Sequence, residues 1–163
     1  MSSFVWRSYS FLASREAPRF ARKSLRNALD AWECDVDVAE TAELLASEVV
    51  TNVILHAKTT RRVQIDFGVA EDEFTFAVVD SNPMPPQARQ GCDERSTSGR
   101  GLPLLMGMSS DFGYRSAGGG KVVFFRLKVQ PIPVHVFQRE LCSAFPPSPH
   151  VRLASLRGGP DAD

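Results

Sequence analysis

One segment constrains this chain more than any other. Between Val38 and Ala57 the residues Ala42, Ala46, Val50, Val53, Ile54 and Ala57 recur at helical spacing, which predicts a helix lying on a sheet. Glu48 and Asn52, one turn apart, project from its other side. That side is not simply a solvated one, because Leu44, Leu45, Val49 and Leu55 share or border it and need apolar neighbours. The pattern predicts a carboxylate and a carboxamide facing an enclosed space. A helix with a wet back, on which Glu and Asn are merely tolerated, fits this segment equally well when it is read alone.

Around this helix the chain has 163 residues, enough for one domain with a substantial core. The formal net charge is zero, and Lys and Arg are spread along the chain, which argues against direct nucleic-acid binding through phosphate contacts. No apolar run reaches the length of a membrane span, and Met1-Ser2-Ser3-Phe4 lacks the features of a signal peptide. A cytoplasmic protein with no membrane partner is expected. Cys34, Cys92 and Cys142 are odd in number and scattered, and read as free thiols.

Phe4 to Phe11 predicts a first strand at a sheet edge. Ala21, Leu25, Ala28, Leu29 and Trp32, following Pro18, predict the first helix. After the second helix, Val63, Ile65, Phe67 and Val69 alternate along one strand, and Phe74, Phe76 and Val78 along the next. Asp80 ends that strand on the same face as its apolar residues, so its carboxylate needs a partner there. Ser81 to Ser98 reads as a long loop of the kind that forms lids or is disordered. Gly99-Arg100-Gly101-Leu102 then opens a short helix over Leu102, Leu105, Met106 and Ser109. Strands follow over Phe112 to Ser116 and Lys121 to Val129, joined at Ala117-Gly118-Gly119-Gly120. One domain is thus placed at residues 1–130. Residues 131–163 read as a Pro- and Gly-rich extension, with Val134 to Phe145 as a short helix or strand. The element order predicts an α+β two-layer sandwich, helices on one face of a largely antiparallel mixed sheet.

Three polar groups can converge between helices and sheet. Asp80 accepts hydrogen bonds only, and an exocyclic amine on a flat ring, as in adenine, would satisfy it. Gly99 and Gly101 allow close backbone approach, the adjoining helix start favours phosphate, and Arg100 adds a cation. Asn52 offers a neutral oxygen to Mg²⁺, which takes much of its shell from water and phosphates. Glu48 could accept a proton from an attacking hydroxyl or water. Each signal is weak alone: Asp80 could equally initiate a turn before Ser81-Asn82-Pro83, and the two glycines could be only a hinge.

Together, Glu48-x-x-x-Asn52, a strand ending in Asp80, and Gly99-Arg100-Gly101-Leu102 resemble the GHKL (histidine kinase/gyrase-like) ATPase superfamily. Within it, Glu43 to Asn52, and Gly99 to Leu102 through Asp111-Phe112-Gly113 and Gly120-Lys121-Val122-Val123, are most similar to anti-sigma-factor serine kinases and stand-alone actinobacterial ATP-binding regulators. The resemblance runs from about Phe4 to Val129. It implies the Bergerat-type ATP-binding fold, with ATP and Mg²⁺ as cofactors. Glu48 would be the general base, Asn52 the metal ligand, Asp80 the contact to the adenine amine, and Gly99, Arg100, Gly101 and Leu102 the phosphate-side hinge. The implied partners are an anti-anti-sigma (STAS-type) protein, a sigma factor, or both, with a homodimer compatible. Two departures stand out: Ser81 to Pro86 carries no glycine, and Lys121 stands where some relatives place a threonine. The sequence assigns Lys121 no role.

The functional expectation is an anti-sigma factor with Mg-ATP-dependent protein serine/threonine kinase activity. The alternatives are an ATP-binding module that sequesters a sigma factor or other regulator without phosphorylating it, and a dimeric structural domain that binds no nucleotide.

Overall fold

The computed structural model of the protein describes residues 4–56, 62–80 and 107–142. Its elements are β1 (Phe4–Leu12), α1 (Ala17–Ala31), α2 (Val36–His56), β2 (Arg62–Ala70), β3 (Glu73–Asp80), β4 (Asp111–Ala117), β5 (Gly120–Lys128) and α3 (Val134–Cys142). The strands form one sheet in the order β1-β2-β3-β5-β4, and all four pairings are antiparallel. α1 packs on β1 and β2, while α2 packs on α1 and reaches over β3 and β5. This is the expected α+β sandwich, with β1 at the expected edge.

Local chemistry sets the element ends. Pro18 occupies the first turn of α1, where a missing N–H is not felt. Asp35 caps α2: its Oδ1 accepts the Asp37 N–H at 2.8 Å and its carbonyl accepts the Ala39 N–H at 2.9 Å. The β4–β5 hairpin turns through Gly118 and Gly119, whose φ angles of 52° and 89° are the left-handed values that a tight hairpin matching the strand twist requires.

Alternation in the strands then builds the core. Val63, Ile65, Phe67 and Val69 of β2, Phe74, Phe76 and Val78 of β3, and Val123, Phe125 and Leu127 of β5 face the helices. Phe67, Phe76 and Phe125 stand directly opposite one another across three strands, with stacked rings 6.1 and 5.2 Å apart, and Tyr9 extends the row onto β1 at 5.7 Å from Phe67. Trp32, at the end of α1, meets Phe67 edge-on at 5.9 Å. The aromatic row is a stiff floor on which both long helices rest.

The segment after Gln130 contributes to this core. Ile132 and Val136 are buried in it, Arg139 donates to the Ala31 carbonyl, and Glu140 pairs with Arg7 of β1. Within the region Val134 to Phe145, the described residues are helical as far as Cys142. Cys34 is a free thiol, as expected, and burial pushes its pKa up to about 11. Cys92 and the Cys142 side chain lie outside the described residues, as do the loop from Ser81 to Ser98 and most of the short helix expected after Gly101. Among the described residues, no helix is long and apolar enough to cross a membrane.

The sheet face turned away from α1 and α2 is also tightly organised. Gly68 lies opposite Trp6, and a methyl group on Gly68 would run into the Trp6 ring and the Val5 carbonyl. Gly68→Ala should therefore lower the unfolding free energy by about 1–3 kcal/mol in urea titrations, as an overpacked site does. On the same face Asp66 is 1% exposed, and burial raises its pKa above 3.8 while hydrogen bonds from Ser8 and Gln64 pull it back in part. The folded state thus holds this proton more tightly than the unfolded chain does. The stability that follows is complete below the unfolded value and is lost as pH rises through the folded one. Asp66→Asn should be more stable than the parent at neutral pH, and thermal melts at decreasing pH should show the gap closing towards the ordinary Asp value.

Candidate functional site

β3 carries the decisive residue to its last position. Because Val78 and Phe76 face the helices, alternation sends Asp80 to the same side, and the same logic sends Lys121 inward below Val123 and Phe125 on β5. Asp80 and Lys121 are register partners. Lys121 Nζ donates to Asp80 Oδ2 at 2.6 Å, and the two residues are 4% and 3% exposed. The carboxylate that the sequence left in need of a partner has an ammonium group against it. One salt bridge does not exhaust a carboxylate, which has about four lone-pair directions.

The end of α2 lies towards this same end of the sheet. β2 begins at Arg62, and Gln64 pairs with Val79 beside Asp80. Residues 57–61 connect His56 to Arg62, and six residue steps span at most about 20 Å, whereas α2 is roughly 30 Å long. Asn52, one turn from the end of α2, is therefore near the Asp80 end of the sheet and not the far one.

Around the α2 axis the faces are distinct. Glu43 and Ser47 meet α1, where Glu43 pairs with Arg26 and Ser47 Oγ accepts from Arg22 at 2.7 Å. Asn52 projects about half a turn away from that contact. Leu45 and Val49 are fully buried, whereas Leu44 and Leu55 are 43% and 58% exposed. Glu48 and Asn52 are half-buried on the border between these two sets. The sequence reading that all four leucine and valine residues on this side require apolar neighbours is thus correct for Leu45 and Val49 only. Leu44 and Leu55 do not find that cover among the described residues.

Asp80 ends β3, and α2, which carries Glu48 and Asn52 in its C-terminal half, packs against β3. Gly99, Arg100, Gly101 and Leu102 lie outside the described residues. The residue that sequence reasoning passed over is Lys121. Its parity with Val123, Phe125 and Leu127 already marked it as an inward-facing lysine, but its partner depends on the β3–β5 register, a long-range fact.

Comparison with known proteins gives this arrangement a context. The family described as the histidine kinase-like ATPase domain matches residues 11–127, from the end of β1 nearly to the end of β5. The chain belongs to this family. That membership bears out the GHKL resemblance and implies ATP as the ligand. Among solved structures, this ATPase domain is similar to the crystal structure of the RsbU and RsbW domains of Rv1364c from Mycobacterium tuberculosis, with a TM-score of 0.60 at 17% sequence identity. The match covers 77% of this chain and 32% of that one, so the chain spans about a third of its neighbour's length and the likeness is one of fold. No curated protein matches the chain.

The residues fit a bound adenine nucleotide in chemical type. A dry acceptor suits a base amine, and a half-buried carboxamide and carboxylate one turn apart suit the metal and proton chemistry of phosphates. Lys121→Met, by removing the cation 2.6 Å from a buried carboxylate, should cost about 3–5 kcal/mol in urea titrations. Adding Asp80→Asn should recover most of that loss, because the double variant buries no charge.

Proposed function

We propose that this ATPase-family chain is an ATP-binding regulator: an anti-sigma factor that transfers phosphate from Mg-ATP to a serine or threonine of an anti-anti-sigma (STAS-type) partner. The single observation that carries the reading is the buried Asp80 carboxylate at the end of β3 in a chain of the histidine kinase-like ATPase family, whose α2 carries the half-buried Glu48 and Asn52. The partner class comes from the resemblance of Glu43 to Asn52 and of Gly120 to Val123 to anti-sigma-factor serine kinases. The RsbU and RsbW domains of the solved neighbour are in keeping with it.

In this reading each residue has one task. Asp80 accepts a hydrogen bond from the base amine and fixes the ring. Asn52 would hold Mg²⁺ through its side-chain oxygen, and the metal when bound supplies charge neutralisation to the phosphates. Glu48, an acceptor one turn from Asn52, takes the proton of the incoming hydroxyl. Gly99, Arg100, Gly101 and Leu102 are assigned to the phosphate side. The protein acts in the cytoplasm and meets proteins, with no nucleic-acid or membrane partner.

The test is phosphoryl transfer from labelled ATP to candidate anti-anti-sigma domains, read together with nucleotide binding. Glu48→Ala should keep nucleotide and lose transfer by about 10²–10⁴-fold, the usual contribution of a general base. Transfer that survives this change removes Glu48 from the role. A chain that binds ATP and captures a sigma factor, but phosphorylates no partner at any concentration tried, is the sequestering module instead.

A further inference from the structure

α1, α2 and the segment carrying α3 all contribute to the core on one face of the sheet. On the other face Ala77, Val122 and Phe124 form a second apolar cluster, with Val79 packed against it, and every one of these residues belongs to β3 or β5. No described helix contributes to it. Yet Ala77 is 1% exposed, Thr75 4% and Phe124 6%. The outward side chains of an uncovered sheet meet water, as Ser8 and Ser10 on β1 do. The Arg126 guanidinium, 5.3 Å from the Phe124 ring and opposite Thr75, shelters part of this surface. The Arg126 side chain is itself only 16% exposed, so it is not the outermost layer.

We propose that the outer face of β3 and β5 is a docking surface for the chain's own C-terminal segment, residues 143–163. α3 leads the chain to the right place. Its His135 meets Glu33 at the end of α1, and one turn later Glu140 pairs with Arg7 of β1, so the helix ends at Cys142 beside an edge strand. From there the outer face is reached by rounding β1 alone. Crossing from β1 to β5 takes three strand spacings, about 15 Å, and the steps from Cys142 to Val151 span up to about 30 Å. Pro146, Pro147 and Pro149 cannot donate to a ladder, which unsuits the segment to extending the sheet beyond β1 and favours an extended run across its face. Val151, Leu153 and Leu156 then supply the apolar side chains that a cluster of Val, Ala and Phe accepts. Ala77, Val79, Val122 and Phe124 are a small patch beside the roughly 20–30 residues a side that a stable dimer uses, so the surface fits a short peptide better than a second copy. The family match stops at residue 127, so this cover is an addition to the ATPase domain and not a part of it.

Solution NMR of the full chain tests the assignment. The Phe124 ring should give cross-peaks to methyl groups of Val151, Leu153 or Leu156, and a sample mixed from labelled and unlabelled chains should show that they arise within one chain. The double variant Leu153→Asp, Leu156→Asp should lose those cross-peaks while the ones between Phe76 and Phe125 on the opposite face persist, which separates loss of the cover from loss of the fold. Contacts from Phe124 to residues 81–106 in place of the C-terminal segment overturn the inference. So do contacts that arise between chains, which make the face a dimer interface, and so does a Phe124 ring with no contact beyond the sheet. The nucleotide reading stands or falls separately, because Asp80 lies on the other face.

Discussion

A carboxylate and an ammonium group, both withdrawn from water, face each other where β3 ends and β5 begins. Taking either charge into that position alone would cost several kcal/mol, and the 2.6 Å contact between Asp80 and Lys121 makes the position tolerable. Such a pair contributes little net stability compared with a well-packed apolar alternative, so its presence points to use. It also links β3, the central strand, to its neighbour β5 at the end of the sheet towards which α2 runs. The proposed base contact therefore sits on paired strands of the sheet.

The rest of the fold keeps that site in register. A slip of β5 by one residue against β3 would turn Lys121 to the face opposite Asp80, together with every apolar residue of β5. The stacked row of Phe67, Phe76 and Phe125 opposes that slip, because a slip of β5 would expel the Phe125 ring from the core and from its stack on Phe76. Through Phe67 the row also meets Trp32 and so fixes α1, and α1 holds α2 by way of Arg22 and Arg26. The orientation of Glu48 and Asn52 is thus inherited from the sheet through α1.

Much of this was legible in the chain because it follows from period and parity. The stripe Ala21, Leu25, Ala28, Leu29 gives α1, the alternation in β2, β3 and β5 gives the inward face, and Asp80 follows from counting along β3. What was not legible depends on contacts distant in sequence. The partner of Asp80 is 41 residues away and follows only from strand order. The opposite fates of Leu45 and Leu44, adjacent in sequence, depend on which side of α2 meets its neighbours. α3 is ambiguous in the sequence because prolines surround it, and its docking comes from His135, Arg139 and Glu140 meeting Glu33, Ala31 and Arg7, more than a hundred positions earlier. Of the candidate site, Asp80, Glu48 and Asn52 are placed by the structure, whereas the glycine motif from Gly99 to Leu102 is known as sequence alone.

The central claim is that a purine is held at Asp80 with its phosphates directed towards Asn52 and Glu48. A crystal structure of the protein with Mg²⁺ and a non-hydrolysable ATP analogue tests it most directly. The account predicts the 6-amino group within hydrogen-bond distance of an Asp80 oxygen and the metal on the side-chain oxygen of Asn52. An analogue bound elsewhere on the molecule, with the Asp80–Lys121 pair untouched by any base, would contradict it.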